Sequence, residues 1–176
     1  IRCTTKLLGK HNIYNLLAGA CAAKILGLSF EEIARGISKV EPVEHRLNLI
    51  KAANGVIIID DAFNSNPIGT KAALEVLGQF KDGKKIIVTP GMIELGDMEE
   101  EANREFGVNI GKVCDYAILV GEKRTRPIFE GLMESNFKLD NIIVVNNLNE
   151  ATIELGKISK SGDVVLFEND LPDNYS

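Results

Sequence analysis

Several residue types that mark particular protein classes are scarce in this chain. The 176 residues include no tryptophan, two histidines and three cysteines. The cysteines (Cys3, Cys21 and Cys114) are odd in number and lack the spacing of metal ligands, so we expect packing roles in a reducing compartment, not a disulfide framework. No apolar run reaches the roughly 20 residues of a membrane span, and no secretory signal is visible. We therefore expect a cytoplasmic protein without a membrane partner.

Positive charge is also in short supply. Twenty basic residues stand against 25 acidic ones, and the formal net charge is -5. Nonspecific nucleic-acid binding needs lysine and arginine to neutralise phosphates, so this balance argues against a nucleic-acid partner, although a local site can still bind a small anion. Apolar residues make up 45% of the chain, which predicts an ordinary globular core. The chain starts at Ile1 in mid-pattern, and we expect a fragment of a longer protein.

The common signatures of a complete catalytic site are missing. A P-loop needs G-x-x-x-x-G-K-[ST], and the four glycine–lysine pairs here are not followed by serine or threonine. No G-x-G-x-x-G turn occurs, no Ser-His-Asp set is suggested, and His11 has no partner at metal-ligand spacing. These local patterns predict a ligand-binding domain with no metal site and no complete catalytic machinery.

Periodicity places the chain in the α/β class. Continuous Val/Ile runs predict strands at 85–89, 116–120, 141–145 and 163–167, each buried on both faces. Helical patterns near 98–113, 124–135 and 147–158 separate them, and Pro67 opens another helix that runs to residue 80. Asn54-Gly55 predicts a two-residue hairpin between 46–52 and 56–60. We therefore expect a Rossmann-like, doubly wound, mostly parallel six-stranded sheet with an antiparallel edge hairpin.

The first 44 residues follow a different pattern. We predict an end strand at 1–8, then a helix over 12–26 with Gly27 as its C-terminal stop. Ser29 and Glu32 have capping-box spacing and predict a short helix to residue 37. Residues 40–44, which contain Pro42, are expected to form a linker.

Polar residues follow two of the predicted strands. "DDAFNSNP" begins at Asp60 and "TPGMIELGDM" at Thr89. Ligands of open α/β sheets bind beyond the carboxyl ends of the strands, and these carboxylates and amides could bind ribose hydroxyls or an ammonium group. The alternatives stay open at this point: Asn64, Ser65 and Asn66 also suit a helix cap or a turn, and Arg46 and Glu94 also suit a solvated surface. Two adjacent acids at Asp60 and Asp61 are harder to explain, because only one can cap.

Together these stretches resemble the Mur ligase family. "GKHNIYNLLAG" (9–19) is similar to the G-x-H-N-x-x-N-x-x-A stretch near the end of the central ATPase domain of that family. "PVEHRLN" (42–48), "IIDDAFNSNP" (58–67) with "KAALEVL" (71–77), "VTPGMIELGDM" (88–98) and the ending "GDVVLFENDLPDNY" (162–175) resemble its C-terminal domain. The resemblance implies that 1–43 are the end of the central domain with the hinge, and 44–176 the C-terminal domain.

The resemblance also implies roles for single residues in nucleotide binding. Asn12 and Asn15 would lie at the adenine of ATP, where an amide can donate and accept at once. Arg46 would reach the ATP phosphates when the C-terminal domain closes, as the one catalytic residue of this chain. Asp61 would bond the ribose. Phe63 stands where members that add D-glutamate carry a lysine, so any role of that lysine does not transfer.

Substrate roles are implied for three further residues. Asn64 and Ser65 match positions of second-substrate contacts, and Glu94 lies on the loop expected to help place the amino substrate. The branch most resembled adds D-alanyl-D-alanine to UDP-N-acetylmuramoyl-tripeptide through an acyl phosphate, using ATP and Mg²⁺. A monomer is expected, with the metal ligands and P-loop on a preceding part, so that the chain alone is inactive.

Three other readings compete with that one. The chain could belong to another amide ligase of the superfamily, of the folylpolyglutamate or cyanophycin synthetase type. It could be a non-catalytic module that binds a nucleotide or an amino acid. It could also be a structural or partner-binding Rossmann-like domain.

Overall fold

The computed structural model describes residues 1–170, which form six α-helices and one six-stranded sheet. The helices are α1 (Lys10–Ile25), α2 (Phe30–Ser38), α3 (Pro67–Leu77), α4 (Glu99–Val113), α5 (Glu122–Glu134) and α6 (Leu148–Ile158). The strands are β1 (Asn48–Lys51), β2 (Ile57–Asp61), β3 (Lys85–Thr89), β4 (Tyr116–Val120), β5 (Ile142–Val145) and β6 (Val164–Glu168). The last part of the family-like ending, 171–175, lies outside the described residues. Within 1–170, none of the helices has both the length and the apolar character needed to cross a membrane.

The N-terminal segment differs in part from its prediction. The strand expected at 1–8 is wrong: residues 1–6 are exposed and pair with none of the six strands, and a strand needs a hydrogen-bonded neighbour. Both predicted helices are present. Gly27 ends the first with φ of 94°. The Ser29 side chain accepts from the Glu32 backbone N–H, and the Glu32 carboxylate accepts from Ser29 N–H at 2.8 Å, which confirms the capping box.

The sheet has the predicted mixed character, with strand order β1-β2-β6-β3-β4-β5. Only the β1–β2 pair is antiparallel, and β1 is an edge. The hairpin is one residue longer than predicted. Ala52 N–H donates to Val56 O at 2.9 Å, and Gly55 N–H donates back to Ala52 O at 2.9 Å. This leaves a three-residue loop that ends on Gly55 with φ of 83°, the conformation that glycine adopts without strain.

Helices cover the two faces of the sheet unequally. One core cluster joins residues of α3, α4 and α5 to alternate strand residues such as Ile59, Ile87 and Leu166. The other joins α6 to the remaining alternate residues, including Val88 and Val165. Right-handed crossovers explain the division: β2, β3, β4 and β5 advance across the sheet in one direction, and α6 brings the chain back over the opposite face. The last strand is thereby inserted between β2 and β3.

Helices α4 and α5 cross at two glycines. A Cβ on Gly107 would lie 2.1 Å from the carbonyl oxygen of Ile128, and one on Gly131 would lie 2.0 Å from that of Arg104. Each glycine thus packs against the backbone of the other helix, and no side chain fits between them. This close packing fixes α4 and α5 to each other within the core cluster on one face of the sheet.

Substitution of Gly107 by alanine should lower the free energy of unfolding by about 1–3 kcal/mol, because an added methyl group overpacks the crossing. Gly156→Ala in α6 is the matched control, since its Cβ would meet nothing within 4 Å. It should stabilise the chain by up to about 1 kcal/mol through helix propensity. Urea unfolding followed by circular dichroism measures both, and equal stabilisation by the two changes would contradict the close crossing.

Candidate functional site

The carboxyl ends of β2 and β6 lie side by side, with Asp61 directly opposite Glu168 in the parallel register. Strand side chains alternate between faces. Since Ile59 and Leu166 belong to the cluster under α3, Asp61 and Glu168 lie on that same face. Asp60 and Phe167 therefore lie on the opposite face, where α6 packs. Asp60 and Asp61, although adjacent in the sequence, therefore lie on opposite faces of the sheet.

Arg46 is held between two residues of unusual backbone conformation. His45 has φ of 58° and Leu47 has φ of 47°, both in the left-handed region that non-glycine residues rarely adopt. Such strain concentrates at functional sites. The guanidinium carbon of Arg46 lies 4.4 Å from the ring centroid of Phe63, a cation–π contact that orients an otherwise exposed side chain. Phe63 N–H donates to His45 O at 3.3 Å, which ties the two segments together.

Asp61 is half-buried at the end of β2. Its Oδ1 accepts from Leu47 N–H at 3.0 Å. The pKa of Asp61 lies above its ordinary value because burial, the largest effect, outweighs the bond from Leu47, the charges of Arg46 and His11, and a hydrogen bond with Glu168, all of which lower it. The group thus lies among donors and cations that favour its ionised form, at the boundary between core and solvent.

The start of α1 meets this same corner. His11 lies close enough to Asp61 to lower the pKa of that carboxyl. Asn12 Nδ2 donates to Leu8 O at 2.7 Å, and Asn12 Oδ1 accepts from Asn15 Nδ2 at 3.1 Å. Leu8 packs on the main core, which anchors the helix start. The fold therefore brings the asparagine motif of α1, Arg46 and Asp61 to one corner of the sheet, although they come from three separate segments.

The loop between β2 and α3 contains residues with three distinct contacts. Asn66 caps α3, because its Oδ1 accepts from Ile68 N–H at 3.1 Å and Gly69 N–H at 2.9 Å. Asn64 is exposed, and its Oδ1 accepts from Ser65 N–H at 2.8 Å. Ser65 is buried, and its hydroxyl donates to Glu168 Oε1 at 2.6 Å. Of these side chains, only that of Asn64 faces solvent without a capping role.

The loop after β3 is held by two buried amides. Asn103 on α4 accepts from Met92 N–H at 2.8 Å through Oδ1, and its Nδ2 donates to Met92 O at 2.9 Å. Asn169 Nδ2 donates to Gly91 O at 2.7 Å from the end of β6. Gly91 is required here, with φ of 87° and a Cβ position 2.9 Å from Asn103 Oδ1. Glu94 lies at the exposed turn of this loop with φ of 63°.

On the α6 face, two surface crevices of about 540 and 520 Å³ adjoin each other above the strand ends. They share Leu148, Phe167, Asn169 and Asp170. Asp60 lines one of them, and its Oδ2 lies 2.9 Å from His45 Nδ1. Among residues 1–170, no group of three or more histidine, cysteine, aspartate or glutamate side chains could hold a metal ion.

Three polar residues of this region were missed from the sequence: Glu168, Asn103 and Asn169. Glu168 carried a usable signal, because it ends an apolar strand ("DVVLFE") in the way that Asp61 does. Asn169 follows it and shares that signal. No such signal exists for Asn103, because an asparagine within a charged helical pattern predicts a solvent-exposed residue.

Comparison with known proteins identifies the family of this chain. Residues 45–168 match the family model described as "Mur ligase, glutamate ligase domain". The chain belongs to the Mur ligase family. The match covers β1 to β6 and includes Arg46, Asp61 and Glu168, and it ends one residue before Asn169.

Individual Mur ligases align over nearly the whole chain. The UDP-N-acetylmuramoyl-tripeptide–D-alanyl-D-alanine ligase of Bacillus subtilis is 32% identical over 163 residues, covering 92% of this chain and 35% of its own length. The UDP-N-acetylmuramoylalanine–D-glutamate ligase of Alkaliphilus metalliredigens is 32% identical over 162 residues, covering 92% and 33%. The crystal structure of Thermotoga maritima MurF in complex with ADP superposes with a TM-score of 0.77 at 27% identity, covering 92% of this chain and 35% of that one. The chain thus spans about a third of the length of the curated relatives it matches.

Replacement of Asn103 by aspartate should destabilise this Mur ligase chain by about 2–3 kcal/mol, because two backbone carbonyls lose their donor and a carboxylate is buried. Those carbonyls are Met92 O and Glu99 O, both 2.9 Å from Nδ2. Asn109→Asp on the same helix is the control, since within residues 1–170 the Asn109 side chain bonds only other side chains near the surface, those of Lys112 and Glu105, and no backbone carbonyl. Chemical denaturation compares the two variants, and equal effects would contradict a buried clamp at Asn103.

Proposed function

We propose that this chain is the C-terminal part of an ATP-dependent ligase that adds D-alanyl-D-alanine to UDP-N-acetylmuramoyl-tripeptide in peptidoglycan synthesis. The supporting observation is the corner where α1, Arg46 and Asp61 meet, in a member of a family whose relative in T. maritima was solved with ADP. Acting as a monomer in the cytoplasm, the ligase would form an acyl phosphate from ATP and the tripeptide carboxylate. The dipeptide amine would then displace phosphate.

The corner suits a nucleotide bound between two parts of a protein. Asn12 and Asn15 would face the adenine edge, and the bond between their side chains sets the direction of both amides. Asp61 would accept from a ribose hydroxyl. Arg46 would lie over the phosphates, where its charge neutralises the negative charge that accumulates during transfer. The Phe63 ring restricts the Arg46 guanidinium before ATP arrives, which limits the entropy lost on binding.

We place the domain boundary at the linker, with 1–43 as the end of the central domain and hinge and 44–176 as the C-terminal domain. Helix α1 supports this, because none of its residues is buried. It exposes Ile13, Tyr14, Leu17 and Ile25, each more than half exposed. A further part of the protein would cover this apolar surface and would carry the P-loop and the ligands of Mg²⁺.

The identity of the amino substrate rests on fewer observations. D-alanyl-D-alanine and D-glutamate ligases match at the same 32% identity, so D-glutamate is the second candidate. Phe63 favours the dipeptide. It stands where members that add D-glutamate carry lysine, and here the position supplies an aromatic ring that packs against Arg46. Asn64, Ser65 and Glu94 are the proposed contacts to the amino substrate, with Ser65 acting only if its bond to Glu168 opens.

In the full-length protein, Arg46→Ala should lower kcat/KM for ATP-dependent ligation about 100-fold, because one electrostatic contact to the transferring phosphoryl group is lost. Asp61→Asn should mainly raise the KM for ATP, by about tenfold, since one charged hydrogen bond to the ribose is weakened. Lys51→Ala, which removes an exposed cation from β1, is the control and should stay within about twofold of the parent. Steady-state phosphate release measures all three. Unchanged turnover in Arg46→Ala and Asp61→Asn would contradict the proposal and support a structural or partner-binding domain.

The 176-residue chain alone should release no phosphate from ATP, whereas the full-length protein should do so only with a muramoyl-tripeptide and the right amino substrate. A panel of amino substrates tests the identity of that substrate. It contains D-alanyl-D-alanine, D-glutamate, L-glutamate, aspartate and arginine. Turnover with D-glutamate but not the dipeptide would replace the first candidate by the second. Phosphate release by the isolated chain near the full-length rate would overturn the assignment as a partial ligase.

A further inference from the structure

Glu168 is a buried ionisable group to which the proposed reaction gives no role. Its side chain is 1% exposed at the end of β6. Oε1 accepts from the Ser65 hydroxyl at 2.6 Å. Oε2 is buried and accepts no hydrogen bond from residues 1–170. A carboxylate oxygen in that position would be an uncompensated charge in the core, which is costly unless a proton or a cation balances it.

The neighbour of Glu168 is another carboxyl group. Asp61 is its direct register partner on the adjacent parallel strand, and both side chains lie on the face that α3 covers. Two carboxyl groups in contact do not both ionise readily, and the more buried one keeps the proton. Burial, and then the charge of Asp61, raise the pKa of Glu168 well above the ordinary glutamate value. Burial also raises the pKa of Asp61, but the Leu47 N–H and the charges of Arg46 and His11 stabilise its anion, whereas no cation among the described residues 1–170 acts on Glu168 in the same way.

We propose that Glu168 is a positioning residue: as a neutral acid it donates its Oε2 proton to Asp61 and accepts from Ser65, so that the nucleotide-binding carboxylate has one orientation. This rests on the proposed role of Asp61 in binding ATP. The Asp61 carboxylate then receives one donor from Leu47 and one from Glu168. Its remaining lone pairs would then be left to accept from a ribose hydroxyl, with the charges of Arg46 and His11 nearby.

The same contacts link the strand end to the following loop. Ser65 belongs to the segment between β2 and α3, and its hydroxyl bonds Glu168 from 103 positions earlier in the chain. One side chain of β6 thus holds both Asp61 and this loop. The other charged groups that face the pair are Arg46 and His11, both of which stabilise the ionised form of Asp61.

The arrangement has a pH dependence of definite sign. The native pKa of Glu168 is raised, so its contribution to stability and order is complete below the ordinary glutamate range. That contribution declines as pH rises towards the native value. Once Glu168 loses its proton, two adjacent anions repel, and Asp61 is displaced from the nucleotide. The KM for ATP should therefore rise on the alkaline side.

The test uses the full-length protein and the KM for ATP between pH 6 and 9. Glu168→Ala should raise this KM about tenfold at pH 7, with a smaller change in kcat. Glu168→Gln should stay within about twofold of the parent at pH 7, because its amide can donate to Asp61 and accept from Ser65. It should also lack the alkaline rise of the parent, since an amide does not titrate. Glu154→Gln on α6 is the control and should follow the parent profile.

Three results would overturn the inference. They are a Glu168→Ala protein with the parent KM, a Glu168→Gln protein as impaired as Glu168→Ala, or a Glu168→Gln protein that keeps the parent's alkaline rise. If Glu168→Ala does not fold, the comparison of Glu168→Gln with the parent still decides. Asp61→Asn distinguishes the proposed function from the role of Glu168. If Asp61→Asn raises the KM for ATP and the Glu168 variants do not change it, only the role of Glu168 is rejected. An unchanged KM in Asp61→Asn rejects the proposed function and this inference with it.

Discussion

The candidate site depends on the insertion of the last strand between β2 and β3. Strand β6 pairs in parallel with both neighbours, with Asp61 opposite Glu168 and Val88 opposite Phe167. The residues at its end therefore reach both polar loops at once: Ser65 bonds Glu168, and Asn169 bonds Gly91. Without that strand, the loops after β2 and β3 would belong to separate edges of the sheet. A chain must be nearly complete before this corner can form.

The alternation of strand side chains then divides the polar residues between two environments. Asp61 and Glu168 lie on the face of α3, next to the start of α1. Asp60, Phe167 and the adjoining crevices lie on the face of α6. This separates the corner at Asp61 from the two crevices on the α6 face, and it explains why adjacent acids in the sequence have different partners. Asp60 pairs with His45 at the surface, whereas Asp61 is held among buried donors.

Backbone strain and buried amides hold the loops at this edge. His45 and Leu47 in left-handed conformations turn Arg46 towards Phe63, while Asn103 satisfies both polar groups of Met92. These arrangements cost conformational energy that the surrounding core supplies. The α4–α5 crossing at Gly107 and Gly131 is part of that support, because it brings Asn103 against the loop.

The sequence by itself determined the class and order of the elements, because Val/Ile runs, capping residues and Pro67 act locally. It also determined which residues resemble those of a family, and so pointed to Asn12, Arg46 and Asp61. It mispredicted a strand at 1–8 and missed one residue of the hairpin loop, since partners in space settle both. The position of β6, the pairing of Asp61 with Glu168, and the buried role of Asn103 were decided only by the tertiary structure. Each depends on contacts between residues distant in the chain, and no local pattern records which strands become neighbours.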